Sequence, residues 1–202
     1  MAGIATRPRS SWRAAFGGVS GNEILTGAAG AVLVVLIVAE ALTTLNLRGL
    51  LHEHLFIGLV LIPPLVLKLG STGYRFARYY TRAAAYRDAG PPATALRVLA
   101  PVLVISTLAL FVSGVLLLAA GHNSHALLQV HQASFIVFAV AWVPHVLWYL
   151  PRVVRSLRAD WREQRRRAVP GAGLRATLVG LAVGAGLALA LSLVGSIDAW
   201  HH

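Results

Sequence analysis

Histidine is the residue through which this chain could do chemistry. It carries eight histidines and no cysteine, and its one methionine is Met1. Imidazole is therefore the strong ligand left for a soft metal or a haem iron. Thiolate zinc sites, iron–sulfur clusters, disulfides and covalent c-type haem attachment are excluded. His131 and His145 stand fourteen residues apart in one apolar stretch. At ~100° per residue that spacing returns to within ~40° of the same helix face, and the rise between them is ~21 Å. His52 and His54 head another apolar stretch, and Glu40 is the one acid deep within any of them.

The elements that must position these residues are membrane helices. Of 202 residues, 57% are hydrophobic and only 12% charged, too little charge to cover a soluble domain. The apolar residues form blocks near the ~20 residues needed to cross a ~30 Å hydrocarbon layer. Five blocks are predicted: Ile24 to Leu45, Leu50 to Leu69, Thr94 to Ala120, Ala126 to Leu150, and Leu174 to Val194. The fold expected is an all-α integral membrane protein of five transmembrane helices in the lipid bilayer. Residues 1–23 form a terminal segment, 24–150 a four-helix core bundle, 151–173 a basic segment with a short surface helix, and 174–202 the fifth helix and a tail. Ala39-Glu40-Ala41 resembles a signal cleavage site, but the long lead-in and apolar length favour an anchor.

Lysine and arginine set the orientation. Three precede the first block, six lie from Lys68 to Arg97, eight from Arg152 to Arg175, and Arg48 alone falls in a turn on the other side. The positive-inside rule then puts the N-terminus in the cytoplasm and the C-terminus outside. The net charge of +11 is thereby explained by topology and anionic headgroups, and nucleic-acid binding is not expected. The stretch Gly70–Pro92, expected as a loop, interleaves Tyr74, Tyr79, Tyr80 and Tyr86 with arginines. It reads first as a surface on anionic lipid and second as a docking site for a cytoplasmic partner.

On this topology all the histidines but His145 fall on the outer side, and the second and fourth helices run in the same direction. His54 and His131 share a depth of one to two turns below the outer surface and can face each other across the bundle. Two neutral imidazoles from different helices are what a b-type haem needs. Gly58, one turn below His54, and Ser134, almost one turn below His131, are small enough to admit a macrocycle, or serve helix packing alone. His52 lies about 200° from His54 around the helix, so it would contact a propionate or water. Glu40 falls in the same layer. It would bond a ligand imidazole, carry protons to a quinone, or sit protonated against Thr43 or Thr44. His145 reads either as an interfacial residue in a belt with Trp142, Trp148 and Tyr149, or as half of an inner site. Lys68, the only lysine, stands fourteen residues after His54 and is expected to snorkel to headgroups.

Early histidines on the second and fourth helices, with the His131-x13-His145 pair, resemble the membrane cytochrome b superfamily and the related ferric-reductase-like domains. The resemblance covers Ile24 to Leu150. It implies a four-helix bundle, b-type haem, and electron transfer between a quinone and a partner oxidoreductase. His54 and His131 correspond to the ligands of one haem, while Lys68 stands where an inner partner of His145 would be, so one haem is expected. The segment His52 to Tyr80 also resembles one in bacterial membrane proteins, which implies a bacterial plasma membrane. Two other readings stay open: a divalent-metal transporter or sensor using the outer histidines with Glu40 and Glu53, and a structural subunit of a membrane complex without cofactor.

Overall fold

The computed structural model describes residues 18–81, 83–88, 94–120, 124–160 and 169–198. All regular structure among them is helical: α1 (Gly18–Thr43), a 3-10 turn (Thr44–Asn46), α2 (Leu51–Tyr80), α3 (Ala84–Asp88), α4 (Thr94–Ala120), α5 (His125–Asp160), α6 (Ala172–Ser192) and α7 (Val194–Asp198). Five of them, α1, α2, α4, α5 and α6, are long and apolar enough to cross a membrane. In hydrocarbon every backbone N–H and C=O must be paired within the protein, and a helix does this inside one segment. The side chains are distributed inside out. Val35 and Val140 are 69% and 72% exposed, while Thr107 and Ser113 are 4% and 2% exposed. Apolar surface turned outward and hydroxyls turned inward suit a lipid solvent.

α1 packs along α2, and α4 along α5, as two antiparallel hairpins. In the turn after α1 the Asn46 carbonyl accepts from the amides of Gly49 (3.1 Å) and Leu50 (3.0 Å). The hairpins meet through α1 with α5 and α2 with α4. The four helices therefore touch in the cyclic order α1, α2, α4, α5, and α2 stands diagonally opposite α5. At the other end Asn22 Nδ2 donates to the Ser71 carbonyl (3.1 Å), Thr26 Oγ1 lies 2.9 Å from Ser71 Oγ, and Arg75 pairs with Glu23 at 3.3 Å. These contacts tie α1 to α2 where the seam approaches water.

α6 lies against α2, with a smaller contact to α1. A proline inside α2 explains where it docks. Pro64 has no N–H, so the Val60 carbonyl one turn earlier loses its helical partner. Gly186 of α6 sits directly on that carbonyl, and a Cβ there would overlap Val60 backbone oxygen. Only glycine allows the two backbones so close, and its Cα hydrogens can point at the freed oxygen. α7 then folds back onto α2, α4 and α6. Its Ile197 is fully enclosed, in a cluster with Leu59, Val60 and Ala190.

Three elements differ from the sequence expectation. The Arg- and Tyr-rich stretch after residue 69 is not a loop: α2 continues to Tyr80, and α3 covers Ala84–Asp88. Gly70 and Gly73 weaken a helix but do not stop one, and Thr81 closes it by donating to the Ala77 carbonyl (2.9 Å). α5 likewise runs through Pro144 and Pro151 to Asp160, where a break after Leu150 was expected. Each proline removes a single hydrogen bond from a long ladder, which membrane helices tolerate. Residues 161–168 lie outside the described residues. Finally, part of the expected tail forms α7.

Candidate functional site

His54, in the first turn of α2, and His131, in the second turn of α5, meet near the N-terminal ends of these two helices. Their ring centroids are 6.4 Å apart and their planes lie at 88°. The diagonal placement of α2 and α5 makes this possible: both side chains reach inward across the axis on which the hairpins converge. Each ring is held by the preceding helix of its own hairpin. His54 Nδ1 lies 2.9 Å from Thr43 Oγ1 and 3.1 Å from Glu40 Oε1, both on α1. His131 Nδ1 lies 3.1 Å from the Leu110 carbonyl and 3.2 Å from Ser113 Oγ, both on α4.

Glu40 has one carboxyl oxygen on His54, while its Oε2 is buried with no hydrogen-bond partner. A Cβ at Gly58 would lie 3.3 Å from Glu40 Oε1, so the space beside that glycine admits the carboxyl group. Gly114 plays the matching part for the other ring: a Cβ there would lie 3.1 Å from His131 Cε1. Ser134 is buried, its Oγ 2.7 Å from the Val130 carbonyl and 3.0 Å from the His131 carbonyl of its own helix, which share its one proton. Its hydroxyl thus serves α5, and its small size keeps the turn below His131 thin.

The other expected residues are placed apart from this pair. His52 is partly exposed, its Nε2 3.4 Å from Asp198 of α7 and its ring stacked on Phe56. His145 packs its ring 4.9 Å from Tyr149, towards the opposite end of α5. Lys68 does not snorkel outward: Nζ donates to the Thr26 carbonyl of α1 (3.1 Å), over Gly30, where a Cβ would come within 2.7 Å of it. It lies within electrostatic reach of His145. Among the described residues it forms no ion pair with an acid. His125 is exposed at the start of α5. His122, His201 and His202 lie outside the described residues.

Two imidazoles binding one metal from opposite sides place their centroids about 6.3 Å apart, from metal–nitrogen bonds of about 2 Å and the ring radius. The 6.4 Å between His54 and His131 matches that span. The donor set fits a haem iron, which takes two axial imidazoles, better than a bare divalent ion. Zinc needs at least three protein ligands, and no group of three metal-ligating side chains occurs among the described residues.

Ser113 and Gly114 were not singled out by the sequence reading. They are the one polar and the one glycine position in the run Leu108–Ala120; Ser113 stands seven residues before its end, and Glu40 five before the end of the first span at Leu45. That similar depth is the signal that could have found them. No family model, curated protein or solved structure matches the chain.

Proposed function

We propose that this is a membrane electron-transfer protein that holds one b-type haem in the outer leaflet between His54 and His131. The observation that carries the reading is the approach of these two imidazoles from diagonal helices to 6.4 Å, with no group of three metal-ligating side chains among the described residues. α1, α2, α4 and α5 form the bundle, the N-terminus lies in the cytoplasm of the cell membrane, and α6 braces α2 from outside.

A haem bound there would supply one-electron redox chemistry. The chain supplies the rest. His54 and His131 would hold the haem. Thr43 and Glu40 orient one ring; Ser113 and the Leu110 carbonyl orient the other. The apolar walls of the four helices exclude water. The site stands ~21 Å above the layer of Lys68 and His145 by helix rise. Electrons are therefore exchanged in the outer half, with a quinone in the bilayer or a partner oxidoreductase at the outer surface.

The test is a reduced-minus-oxidised spectrum of the purified chain with haem-to-protein stoichiometry. Bands of b type are expected. His54→Ala and His131→Ala should each abolish or severely reduce them, while His125→Ala should not. Wild-type haem in both ligand variants would sink the assignment. Zinc or copper by elemental analysis, with no b bands, would favour metal transport instead.

A further inference from the structure

We infer that Thr43 together with Glu40, and Ser113 together with the Leu110 carbonyl, are positioning groups that fix which nitrogen each imidazole turns to the metal, and that both rings present Nε2. The inference rests on the haem reading for its consequence but not for its geometry.

A hydroxyl has one proton to give, and a neutral imidazole carries one N–H and one lone pair. Thr43 Oγ1 donates to the Glu40 backbone carbonyl at 2.6 Å, three residues back on α1. Ser113 Oγ donates to the Leu110 carbonyl at 3.0 Å, three residues back on α4. A carbonyl can only accept, so both hydroxyl protons are used within their own helices. What each hydroxyl turns to its histidine is a lone pair.

His54 Nδ1 lies 2.9 Å from that lone pair and 3.1 Å from Glu40 Oε1, which is the place of a donor between two oxygens. His131 Nδ1 faces two acceptors, the Leu110 carbonyl and the Ser113 oxygen, and must donate as well. Both rings are thereby held as Nδ1–H, and the lone pair falls on Nε2. The same device occurs once in each hairpin: a hydroxyl on the first helix, bonded to its own backbone, and a second oxygen of that helix hold the ring on the second. Gly114 leaves room for the His131 ring, since a Cβ there would lie 3.1 Å from its Cε1. Donation from Nδ1–H also raises the basicity of Nε2, which favours the oxidised iron.

The full chain in detergent provides two independent readouts. The first is the side-chain nitrogen chemical shifts of His54 and His131 in protein prepared without haem. Both rings should show the Nδ1–H pattern. Thr43→Val combined with Glu40→Leu, which removes both side-chain partners of His54 Nδ1, should mix or reverse it in that ring. Ser113→Ala should keep the pattern in His131, where the Leu110 carbonyl remains, but shift its Nδ1 resonance. The second is haem b binding and the midpoint potential of the loaded protein. Ser113→Ala and Thr43→Val should each weaken haem retention by about 10-fold to 100-fold and raise the potential. Ser113→Thr and Thr43→Ser should restore both.

An Nε2–H pattern in either wild-type ring would overturn the inference, whether or not a variant folds. Wild-type potential and retention in both hydroxyl deletions would overturn it too. A chain that shows Nδ1–H in both rings but takes up no haem leaves the hydroxyl lock standing and removes the haem reading instead.

Discussion

Glu40 reaches His54 with one carboxyl oxygen, Oε1 to Nδ1 at 3.1 Å, and leaves the other buried and without a partner. His131 has no such acid: its Nδ1 faces a backbone carbonyl and a serine. The two rings are thus held by different partners. If Glu40 is ionised beside the proposed haem it is the stronger acceptor, and Glu40→Gln, which keeps the shape, would weaken it and make the His54 ring a poorer donor to iron. The midpoint potential should rise while the haem is retained, read by potentiometric titration. An unchanged potential would show that Glu40 does not act through the ring.

The two glycines beside the rings and the docking glycine of α6 should respond differently to a methyl group. Gly114→Ala places Cβ 3.1 Å from His131 Cε1, and the ring must give by a few tenths of an ångström. The haem spectrum should shift while the fold holds. In Gly186→Ala the methyl meets the Val60 backbone, which cannot swing aside. α6 should move off α2 at a cost of about 1–3 kcal/mol. Thermal unfolding in detergent should show that loss, with the b bands intact before the transition.

Haem stoichiometry should be near one per chain. His145 has no second imidazole in its half among the described residues, and Lys68 beside it is engaged with Thr26. His145→Ala should therefore leave the haem-to-protein ratio unchanged. A wild-type ratio of two, falling to one in that variant, would make the protein a two-haem conduit and reassign Lys68.

Orientation can be checked with fusions. A reporter after His202 should read as extracytoplasmic, and one inserted within Tyr79–Arg87 as cytoplasmic. The reverse at either position would contradict a topology that rests on seventeen basic residues against Arg48.

Sequence alone determined the membrane spans. Transfer into lipid depends on local composition over about 20 residues, which is legible without any tertiary contact. The third span, Thr94–Ala120, coincides with α4. The shared depth of His54, His131 and Glu40 was legible for the same reason, because helix rise converts residue number directly into depth. Helix ends were not legible. The chain beyond Leu69 and Leu150 is polar enough for a loop, yet it continues as helix because the backbone ladder is already nucleated and elongation is easy.

Only the tertiary structure decided which face meets which. Sequence could not say that α2 and α5 stand diagonally, since that follows from how two hairpins pack. Nor could it give Ser113 and Thr43 their roles: a hydroxyl in an apolar helix usually bonds its own backbone, and here it does that and receives a histidine as well. Lys68 was assigned to the headgroups by its charge, but Gly30 opens a place for it against α1. Gly186 looked like one small residue among many until Pro64 freed the Val60 carbonyl beneath it. Each of these depends on two segments far apart in sequence coming within a few ångströms, and hydropathy, which sums one segment at a time, carries no record of such a meeting.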